Sequence, residues 1–296
     1  MLSILIPTYN YCAMPLVSIL WKQALETGID FEIIVLDDGS SDRISIEENS
    51  KINTLSHCRF ERNETNLGRA ETRNKLAEIS KYEWCLFLDS DVIPVKKDYL
   101  KTYIAAIGKE YDVVIGGILY EEKKADYSKI LRYKYGKSRE ENKADIRKLN
   151  PYSFIFSGNI LIRKVIFIAH NYSSLGNFYG LDIYFAYQLY MDNVPVIHID
   201  NEIYHLGLED NEVFFKKSLD SLDSRIKLLG NKPNIEDINS LLKHYNILRK
   251  RKLDRLIATL FKLSEPVLKK LILNRNPNLL SFDLYRLGYI CSIKPS

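Results

Sequence analysis

Two carboxylates separated by one residue, Asp89 and Asp91, follow the apolar run Trp84–Leu88. In a β-strand the side chains at positions i and i+2 point to the same face, so both acids can converge on one divalent cation where the strand ends. A hard cation held there can in turn bind a diphosphate. A D-x-D pair also arises by chance about once in a chain of this size, so its meaning depends on the elements around it.

The elements before this pair alternate between strand and helix patterns. Residues 2–7 and 31–36 are continuous apolar runs that predict strands, and Met14–Thr27 has the apolar spacing of a helix. Such units form parallel sheets covered by helices, and ligands bind beyond the carboxyl ends of the strands. Polar residues follow every predicted strand at that end: Thr8, Tyr9, Asn10, Asp38, Asp89 and Asp91.

The composition is that of a globular protein with a packed core. The chain has 296 residues, of which 46% are hydrophobic, and no apolar run approaches the roughly 18 residues that span a bilayer. The first residues lack the basic and apolar segments of a cleavable leader, so we expect a cytoplasmic protein. The four cysteines have no C-x-x-C spacing, which predicts reduced thiols rather than a zinc site.

Charge is distributed unevenly along the chain. Residues 241–296 contain 12 Lys and Arg against 3 Asp and Glu, a net charge of +9, so the other residues carry −5 of the total of +4. A basic tail on an acidic body predicts an anionic partner. Membrane phospholipid and nucleic acid both qualify by charge, but no recognition motif accompanies it, so we expect no nucleic acid partner.

The basic tail also has the pattern of an amphipathic helix. Its apolar residues recur at i, i+3, i+4, i+7 and i+8: Leu253, Leu256, Ile257, Leu260 and Phe261. The basic run 249–252 precedes this stripe, and a further apolar and basic segment follows Pro266. Two interpretations stay open: the stripe lies on an anionic membrane surface, or it packs on the protein while its charges face water.

Four segments in this order resemble the inverting glycosyltransferases of family 2: SILIPTYN, EIIVLDDGSSD, NLGRAETRN and LFLDSDVIP. The resemblance covers residues 1–215 and implies a GT-A catalytic domain. That fold is α/β, with a Rossmann-like, mixed, mostly parallel sheet flanked by helices. Residues 216–296 lie outside the resemblance, and we expect them to form a helical, basic, amphipathic C-terminal region.

The resemblance implies roles on the nucleotide side of a sugar-donor site. Three residues would line the nucleoside pocket: Pro7, Thr8 and Tyr9. Asp38 would accept a hydrogen bond from the base, most often the ring NH of uracil, since a carboxylate only accepts. Its neighbour Asp37 is expected to cap the turn instead. Gly68 would let the backbone approach the nucleotide.

The same resemblance implies a divalent metal. Asp89 would contact the ribose or sugar, Asp91 would bind the metal, and His205 resembles the histidine that completes the metal shell. Imidazole, carboxylate and two phosphates suit Mn²⁺ better than Mg²⁺, although either ion is compatible. Arg73 would face the nucleotide or diphosphate; a solvated helix residue paired with a nearby glutamate explains it equally well.

The acceptor side is expected later in the chain. Ser157, Gly158 and Asn159 precede an apolar strand, and in the resembling enzymes this region borders the donor sugar and the acceptor, although a simple β-turn explains the same residues. Asp182 begins a predicted helix, and the family pattern makes it the catalytic base, whereas its position alone is that of a helix cap. The family usually has an acidic pair here, and this chain has Leu181 before Asp182.

The sequence therefore predicts an inverting, metal-dependent glycosyltransferase acting on a UDP-sugar and a saccharide or lipid-linked saccharide acceptor. We expect it to serve surface glycan biosynthesis (capsule, O-antigen or exopolysaccharide), peripherally at the inner face of the cytoplasmic membrane. The Q-x-x-R-W motif of processive synthases is absent, which predicts transfer of single sugars. The nearest enzyme rival, a sugar nucleotidyltransferase, needs a glycine-rich basic loop where this chain has PTYNYCAM. A catalytically degenerate nucleotide-sugar or glycan-binding module is the alternative.

Overall fold

The computed structural model describes residues 1–122, 126–172 and 178–293. Contacts divide the chain into two units. The first comprises the described residues of 1–121, 142–177 and 188–207, and the second those of 122–141, 178–187 and 208–296. The domain boundary predicted after residue 215 stays a prediction. Both units are assembled from segments that are distant in sequence.

The first unit contains a mixed eight-stranded sheet. Its strands are β1 (Leu2–Thr8), β2 (Phe31–Asp37), β3 (Cys58–Arg62), β4 (Trp84–Leu88), β5 (Val92–Pro94), β6 (Val113–Leu119), β7 (Asn159–Arg163) and β8 (Val196–His205). Their order in the sheet is β3-β2-β1-β4-β7-β6-β8-β5. The strands from β3 to β4 in this order run parallel, whereas β7 is antiparallel to both its neighbours and β5 is antiparallel to β8.

Twelve α-helices accompany the sheet in the described part of the chain. They are α1 (Met14–Thr27), α2 (Arg43–Ser50), α3 (Arg69–Ile79), α4 (Tyr99–Ile104), α5 (Ile130–Tyr135), α6 (Ala144–Lys148), α7 (Lys164–His170), α8 (Asp182–Met191), α9 (Asn211–Leu229), α10 (Ser240–Lys250), α11 (Asp254–Ile272) and α12 (Leu279–Ser292). No helix within the described ranges is long and apolar enough to cross a membrane.

The three strands predicted from apolar runs are all present and lie in the sheet interior. Every residue of β2 and of β4 is buried, as expected for strands covered on both faces. β1 pairs with both of them in parallel, so the three carboxyl ends meet at one edge of the sheet. The α/β fold with a mostly parallel, mixed sheet is therefore confirmed.

A buried arginine connects the other half of the sheet. The pairing of β6 with β8 shifts register between Ile115 and Gly117, and this irregularity leaves carbonyl groups outside the ladder. The Arg147 guanidinium donates hydrogen bonds to the Gly116 carbonyl and, at 2.8 Å, to the Ile199 carbonyl. Arg147 therefore ties the two strands together where their own hydrogen bonds are interrupted.

Arg147 also fixes the state of a buried histidine. Its Nη1 donates to Nδ1 of His198 at 2.9 Å, and Nε2 of His198 lies 2.8 Å from the Pro151 carbonyl. Because the guanidinium only donates, Nδ1 must accept and Nε2 must carry the proton, so the ring is neutral. Burial lowers the pKa of His198 to about 4, and the positive charge of Arg147 acts in the same direction.

The second unit has an aromatic core between its helices. Side chains from α5, α9, α11 and α12 form this core: Leu131, Phe215, Phe261, Ile272, Phe282 and Tyr285. The rings of Phe215 and Phe261 each meet that of Tyr285 edge to face, with centroids 4.9 Å apart. The hydroxyl of Tyr285 donates to Glu265 at 2.8 Å, which satisfies both polar groups at the edge of the core.

We predict that His198 makes stability depend on pH. The folded-state pKa of about 4 lies below the ordinary value of 6.5, so the unfolded chain binds more protons between these values. The free energy of unfolding should fall by up to about 3 kcal/mol from this residue as the pH drops from 6.5 to 4. Urea denaturation of wild type and His198→Gln across this range measures it. Parallel pH profiles of the two proteins would refute the assignment.

Candidate active site

The two acids that follow β4 are held by backbone contacts on both sides. The N–H of Asp89 donates to the Gly158 carbonyl at 3.3 Å, just before β7. The carbonyl of Asp91 accepts from the N–H of Leu206 at 2.9 Å, just after β8. The acids therefore lie between the segment that enters β7 and the segment that leaves β8, and these two backbone contacts hold their positions.

Asp89 is paired with two arginines of α3. Arg69 donates from Nη2 to both carboxylate oxygens at 3.1 and 3.3 Å, and Arg73 donates to Oδ1. Arg73 is buried, with 4% of its side chain exposed, whereas 61% of Arg69 is exposed. Burial works to raise the pKa of Asp89, but the two guanidinium charges prevail and lower it. Asp89 is thus a carboxylate, and Arg73 is not the solvated helix residue of the alternative interpretation.

Asp91 is paired with His205, the last residue of β8. Oδ2 of Asp91 lies 3.6 Å from Nε2 of His205, because the antiparallel pairing of β5 with β8 sets Val92 opposite His205. Burial raises the pKa of Asp91; the His205 ring opposes this rise and the Asp89 charge adds to it. The ring of Tyr120 packs against that of His205, with centroids 5.7 Å apart.

This pair fits a divalent cation. Ligand bonds of about 2.1 Å allow a carboxylate oxygen and an imidazole nitrogen 3.6 Å apart to bind one ion. Among the described residues no group of three or more His, Cys, Asp and Glu side chains is arranged to hold a metal. The protein would therefore supply two ligands, and a cation there would need further oxygen ligands from a bound phosphate or water.

Two glycines leave room for the carboxylates. A Cβ added to Gly207 would lie 1.8 Å from Oδ2 of Asp91, and one added to Gly158 would lie 2.6 Å from Oδ2 of Asp89. A side chain at Gly207 would displace Asp91, and one at Gly158 would displace Asp89 and the ring of Phe156. Gly158 lies in the predicted turn, but Gly207 was not singled out from the sequence; its place two residues after His205 is the only local signal for it.

Asp38 anchors the loop that leads into α3. Its Oδ1 accepts from the N–H of Leu67 at 2.8 Å and from the Asn63 amide at 3.1 Å, and its Oδ2 accepts from the N–H of Gly68 at 2.9 Å. Gly68 has a φ of 87°, a conformation that favours glycine. Asp37 instead accepts from Ser40 and from Nε of Arg62, so it stabilises the turn after β2 as expected.

The last residues of β1 and those that follow it lead into a tight turn next to the turn after β2. Thr8 is buried and donates from its hydroxyl to the Tyr11 carbonyl at 2.9 Å. Pro7 is half-buried, and Tyr9 is 52% exposed. Asn10 has a φ of 50°, and its side-chain oxygen accepts from the N–H groups of Ser41 and Asp42. Tyr9 is therefore the member of the predicted nucleoside pocket with a large surface for a ligand.

The turn from Ser157 to Asn159 is largely structural. Asn159 is fully buried, and its Oδ1 accepts from the hydroxyls of Tyr99 and Tyr103 at 2.5 and 2.7 Å. Its amide donates to the carbonyls of Gly117 and Asn201 at 2.8 and 3.0 Å. Ser157 is also buried. Of the three residues, Gly158 is the one in direct contact with a proposed site acid.

Asp182 is the first residue of α8 and belongs to the second unit. Gly180, with a φ of 75°, precedes it, and a Cβ at Gly180 would lie 2.0 Å from the hydroxyl oxygen of Ser221. The N–H of Tyr179 donates to the hydroxyl of Ser224 at 3.3 Å. The segment that carries Asp182 is therefore packed tightly on α9, which fixes the backbone of the predicted base.

A protein-family comparison decides the class of this chain. The model described as Glycosyl transferase family 2 matches residues 3–170, more than half of the sequence. The chain belongs to glycosyltransferase family 2. The match includes both acids after β4 and both arginines of α3. Asp182 and His205 of this family 2 chain lie beyond the matched residues, so their roles stay predictions.

Curated relatives match this family 2 member over limited segments. An uncharacterized glycosyltransferase of Haemophilus influenzae is 41% identical over 91 residues, which are 31% of this chain and 29% of the relative. A PGL/p-HBAD biosynthesis glycosyltransferase of Mycobacterium bovis is 31% identical over 121 residues, which are 40% of this chain and 47% of the relative. The chain thus matches less than half the length of these relatives.

Solved structures share the fold. S. aureus TarS 1-349, in complex with UDP-GlcNAc, has a TM-score of 0.52 at 17% identity, covering 97% of this chain and 90% of that chain. The mannosyltransferase PcManGT from Pyrobaculum calidifontis, in complex with GDP-Man and Mn²⁺, has a TM-score of 0.58 at 14% identity, covering 98% of this family 2 chain and 85% of that chain. At these identities the likeness establishes the GT-A fold alone.

We predict that the two arginines of α3 contribute very differently to stability. Arg73→Met should lower the free energy of unfolding by about 3 kcal/mol, because it removes a buried partner of a nearly buried carboxylate. Arg69→Met should cost less than about 1 kcal/mol, because most of its side chain is in water. Urea denaturation of both variants measures the difference, and equal losses would contradict the described pairing.

Proposed function

We propose that this chain transfers single sugars, with inversion, from a UDP-sugar to a saccharide hydroxyl. The observation that carries the proposal is the Asp91–His205 pair next to Asp89 and its two arginines at the carboxyl end of β4. A carboxylate, an imidazole and an exposed guanidinium at one strand end suit a metal-bound diphosphate. The membership of family 2 supports the same chemistry.

A divalent cation, Mn²⁺ or Mg²⁺, held by Asp91 and His205 would neutralise charge on the diphosphate leaving group. The chain's own residues would prepare that site. Asp89 holds the guanidiniums of Arg69 and Arg73 in place, and the exposed part of Arg69 offers positive charge to a phosphate. Gly207 and Gly158 keep both carboxylates unobstructed.

The nucleotide would lie over the turns after β1 and β2. Asp38 is 5% exposed and accepts three hydrogen bonds within the protein, and the fourth acceptor position of its carboxylate would serve the ring NH of uracil. Tyr9, half of which is exposed, offers a ring surface beside it. Pro7, Thr8 and Gly68 would shape the pocket. The UDP-GlcNAc of TarS and the GDP-Man of PcManGT support a nucleotide-sugar donor and differ in the base.

Asp182 is our proposed general base, which would take the proton of the acceptor hydroxyl as it attacks the anomeric carbon. Its support is the family pattern and its fixed place at the start of α8. We propose that Leu181, in place of an acidic residue, alters acceptor or sugar specificity rather than abolishing transfer. The turn of Ser157, Gly158 and Asn159 would border the donor sugar. Asn159 would contribute indirectly, because its buried hydrogen bonds hold the turn in place.

The acceptor would be a saccharide or lipid-linked saccharide of surface glycan assembly, met at the inner face of the cytoplasmic membrane. The name of the mycobacterial relative, PGL/p-HBAD biosynthesis glycosyltransferase, is in keeping with a biosynthetic role. The alternative proposal is a degenerate module that binds nucleotide sugar or glycan without turnover. In that case the donor site would be the same, and Asp182 would serve only as a helix cap.

We predict that UDP release from a UDP-sugar depends on Asp182. Asp182→Asn should lower turnover at least about hundredfold, because an amide keeps the size and hydrogen-bond acceptor of a helix cap but cannot take a proton. Purified protein is assayed with Mn²⁺, a panel of UDP-sugars and saccharide acceptors. Asp145→Asn, at a side chain that is 91% exposed, is the matched control and should retain full turnover.

Two results of this assay would decide against parts of the proposal. Full activity of Asp182→Asn would show that the residue is a helix cap and not the base. UDP that raises the melting temperature of the wild type, with no UDP released from any donor, would favour the binding module. A melting-temperature rise confined to GDP compounds would overturn the uracil assignment of Asp38.

A further inference from the structure

Helix α11 presents two apolar faces rather than one. Its inner face contributes Phe261, Leu268 and Ile272 to the aromatic core of the second unit. A second set of apolar side chains points away from that core: Leu256, Leu260, Leu263, Val267 and Leu271, which are 55%, 52%, 76%, 61% and 42% exposed. The stripe predicted from the sequence mixed the two faces, since its Phe261 is buried.

The exposed set forms a continuous stripe, which we call the outer stripe. At about 100° per residue its five members fall within an arc of about 80°, and at about 1.5 Å per residue they extend over about 22 Å of helix. Exposed apolar residues scattered singly are normal on protein surfaces. A contiguous row of five large ones indicates a surface that is covered in the working protein.

The polar arc beside the outer stripe is basic. It carries three exposed cations: Arg255, Lys262 and Lys270. Lys269 is also exposed, but its ammonium lies over the Phe215 ring of the core, 5.7 Å from the centroid. The acids of α11 lie elsewhere, and one of them, Glu265, accepts a hydrogen bond from Tyr285 at the edge of the core. The exposed basic run 249–252 ends two positions before the first residue of the helix, Asp254. An apolar stripe flanked by cations is the pattern of a helix that lies in the headgroup region of an anionic bilayer.

We propose that the outer stripe of α11 binds an anionic phospholipid surface. Leucine side chains would enter the boundary between headgroups and acyl chains, while the lysines and arginines would contact lipid phosphates. The inner face stays in the core, so the helix can bind without unfolding the second unit. A second copy of the chain is a poorer occupant, because pairing two outer stripes would bring two rows of cations together.

The outer stripe would be the surface by which the protein reaches the membrane, so this inference rests on the membrane location in the proposed function. Its test does not depend on transfer of a sugar. Flotation with vesicles measures lipid binding by the full-length protein, so failure of this inference is distinguishable from failure of the UDP-release assay. The vesicles contain either equal parts of phosphatidylglycerol and phosphatidylcholine or phosphatidylcholine alone.

We predict that the wild type floats with phosphatidylglycerol vesicles and that the triple variant Leu260→Gln, Leu263→Gln, Val267→Gln binds them at least about tenfold more weakly. The matched control is Ile146→Gln, Leu149→Gln, Val165→Gln, whose side chains are 52%, 81% and 65% exposed on the first unit. It should bind like wild type. All six positions are exposed, so urea denaturation should show similar stability for the three proteins.

The same flotation experiment also tests the contribution of the basic side chains of α11. Arg255→Gln, Lys262→Gln, Lys270→Gln should also weaken binding about tenfold, and the wild type should bind phosphatidylcholine alone far less. No flotation of the wild type, or equal flotation of the outer-stripe variant, would overturn the proposal. A dimer of the wild type in sedimentation, lost in the outer-stripe variant, without vesicle binding would assign the stripe to a second copy instead.

Discussion

The site depends on how two neighbouring carboxylates are neutralised at the end of one buried strand. Asp89 receives two guanidiniums from α3, one of them buried, and it stays ionised despite its burial. Asp91 is paired with an imidazole at 3.6 Å, and its pKa is raised by burial and by the charge of Asp89. The negative charge that the protein compensates less is therefore that of Asp91, which is where an added cation would be most stabilised.

The pairing of the strands holds these side chains in place. The parallel pairing of β1 with β2 and β4 brings three polar turns together, while the antiparallel pairs β4–β7 and β5–β8 bring Gly158 and His205 to the acids. The Asn159 network and the Arg147–His198 contact satisfy buried polar groups of the sheet. A substitution that breaks either set of hydrogen bonds would shift β7 or β8, and would thereby shift Gly158 or His205.

The sequence was informative wherever the signal was local. Apolar runs ending in polar turns predicted β1, β2 and β4, and the order of four motifs predicted the family and fold. Other features arise from contacts between distant segments. The buried pairing of Arg73 with Asp89, the closeness of Gly207 to Asp91, and the use of Asn159 inside the core depend on which strands become neighbours, and no periodicity encodes that.

The division into two units was likewise not predictable from local sequence patterns. Short segments around α5 and the start of α8 join the C-terminal helices, although they lie between strands of the sheet in sequence. In α11 the apolar residues cover two adjacent arcs, so helical spacing predicted the helix but not which arc faces the core. The structure shows that Phe261 and Ile272 pack in the core, and that the outer stripe is therefore the face exposed to water.

We expect Asp91 and a bound nucleotide diphosphate to share one cation. Calorimetric titration of UDP into the wild type, with Mn²⁺ and then with EDTA, tests it most directly. We expect binding at least about tenfold tighter with Mn²⁺, and no such difference in Asp91→Asn, because the ion would join the carboxylate to the phosphates. The same UDP affinity of the wild type with Mn²⁺ and with EDTA would exclude a cation shared by Asp91 and the diphosphate.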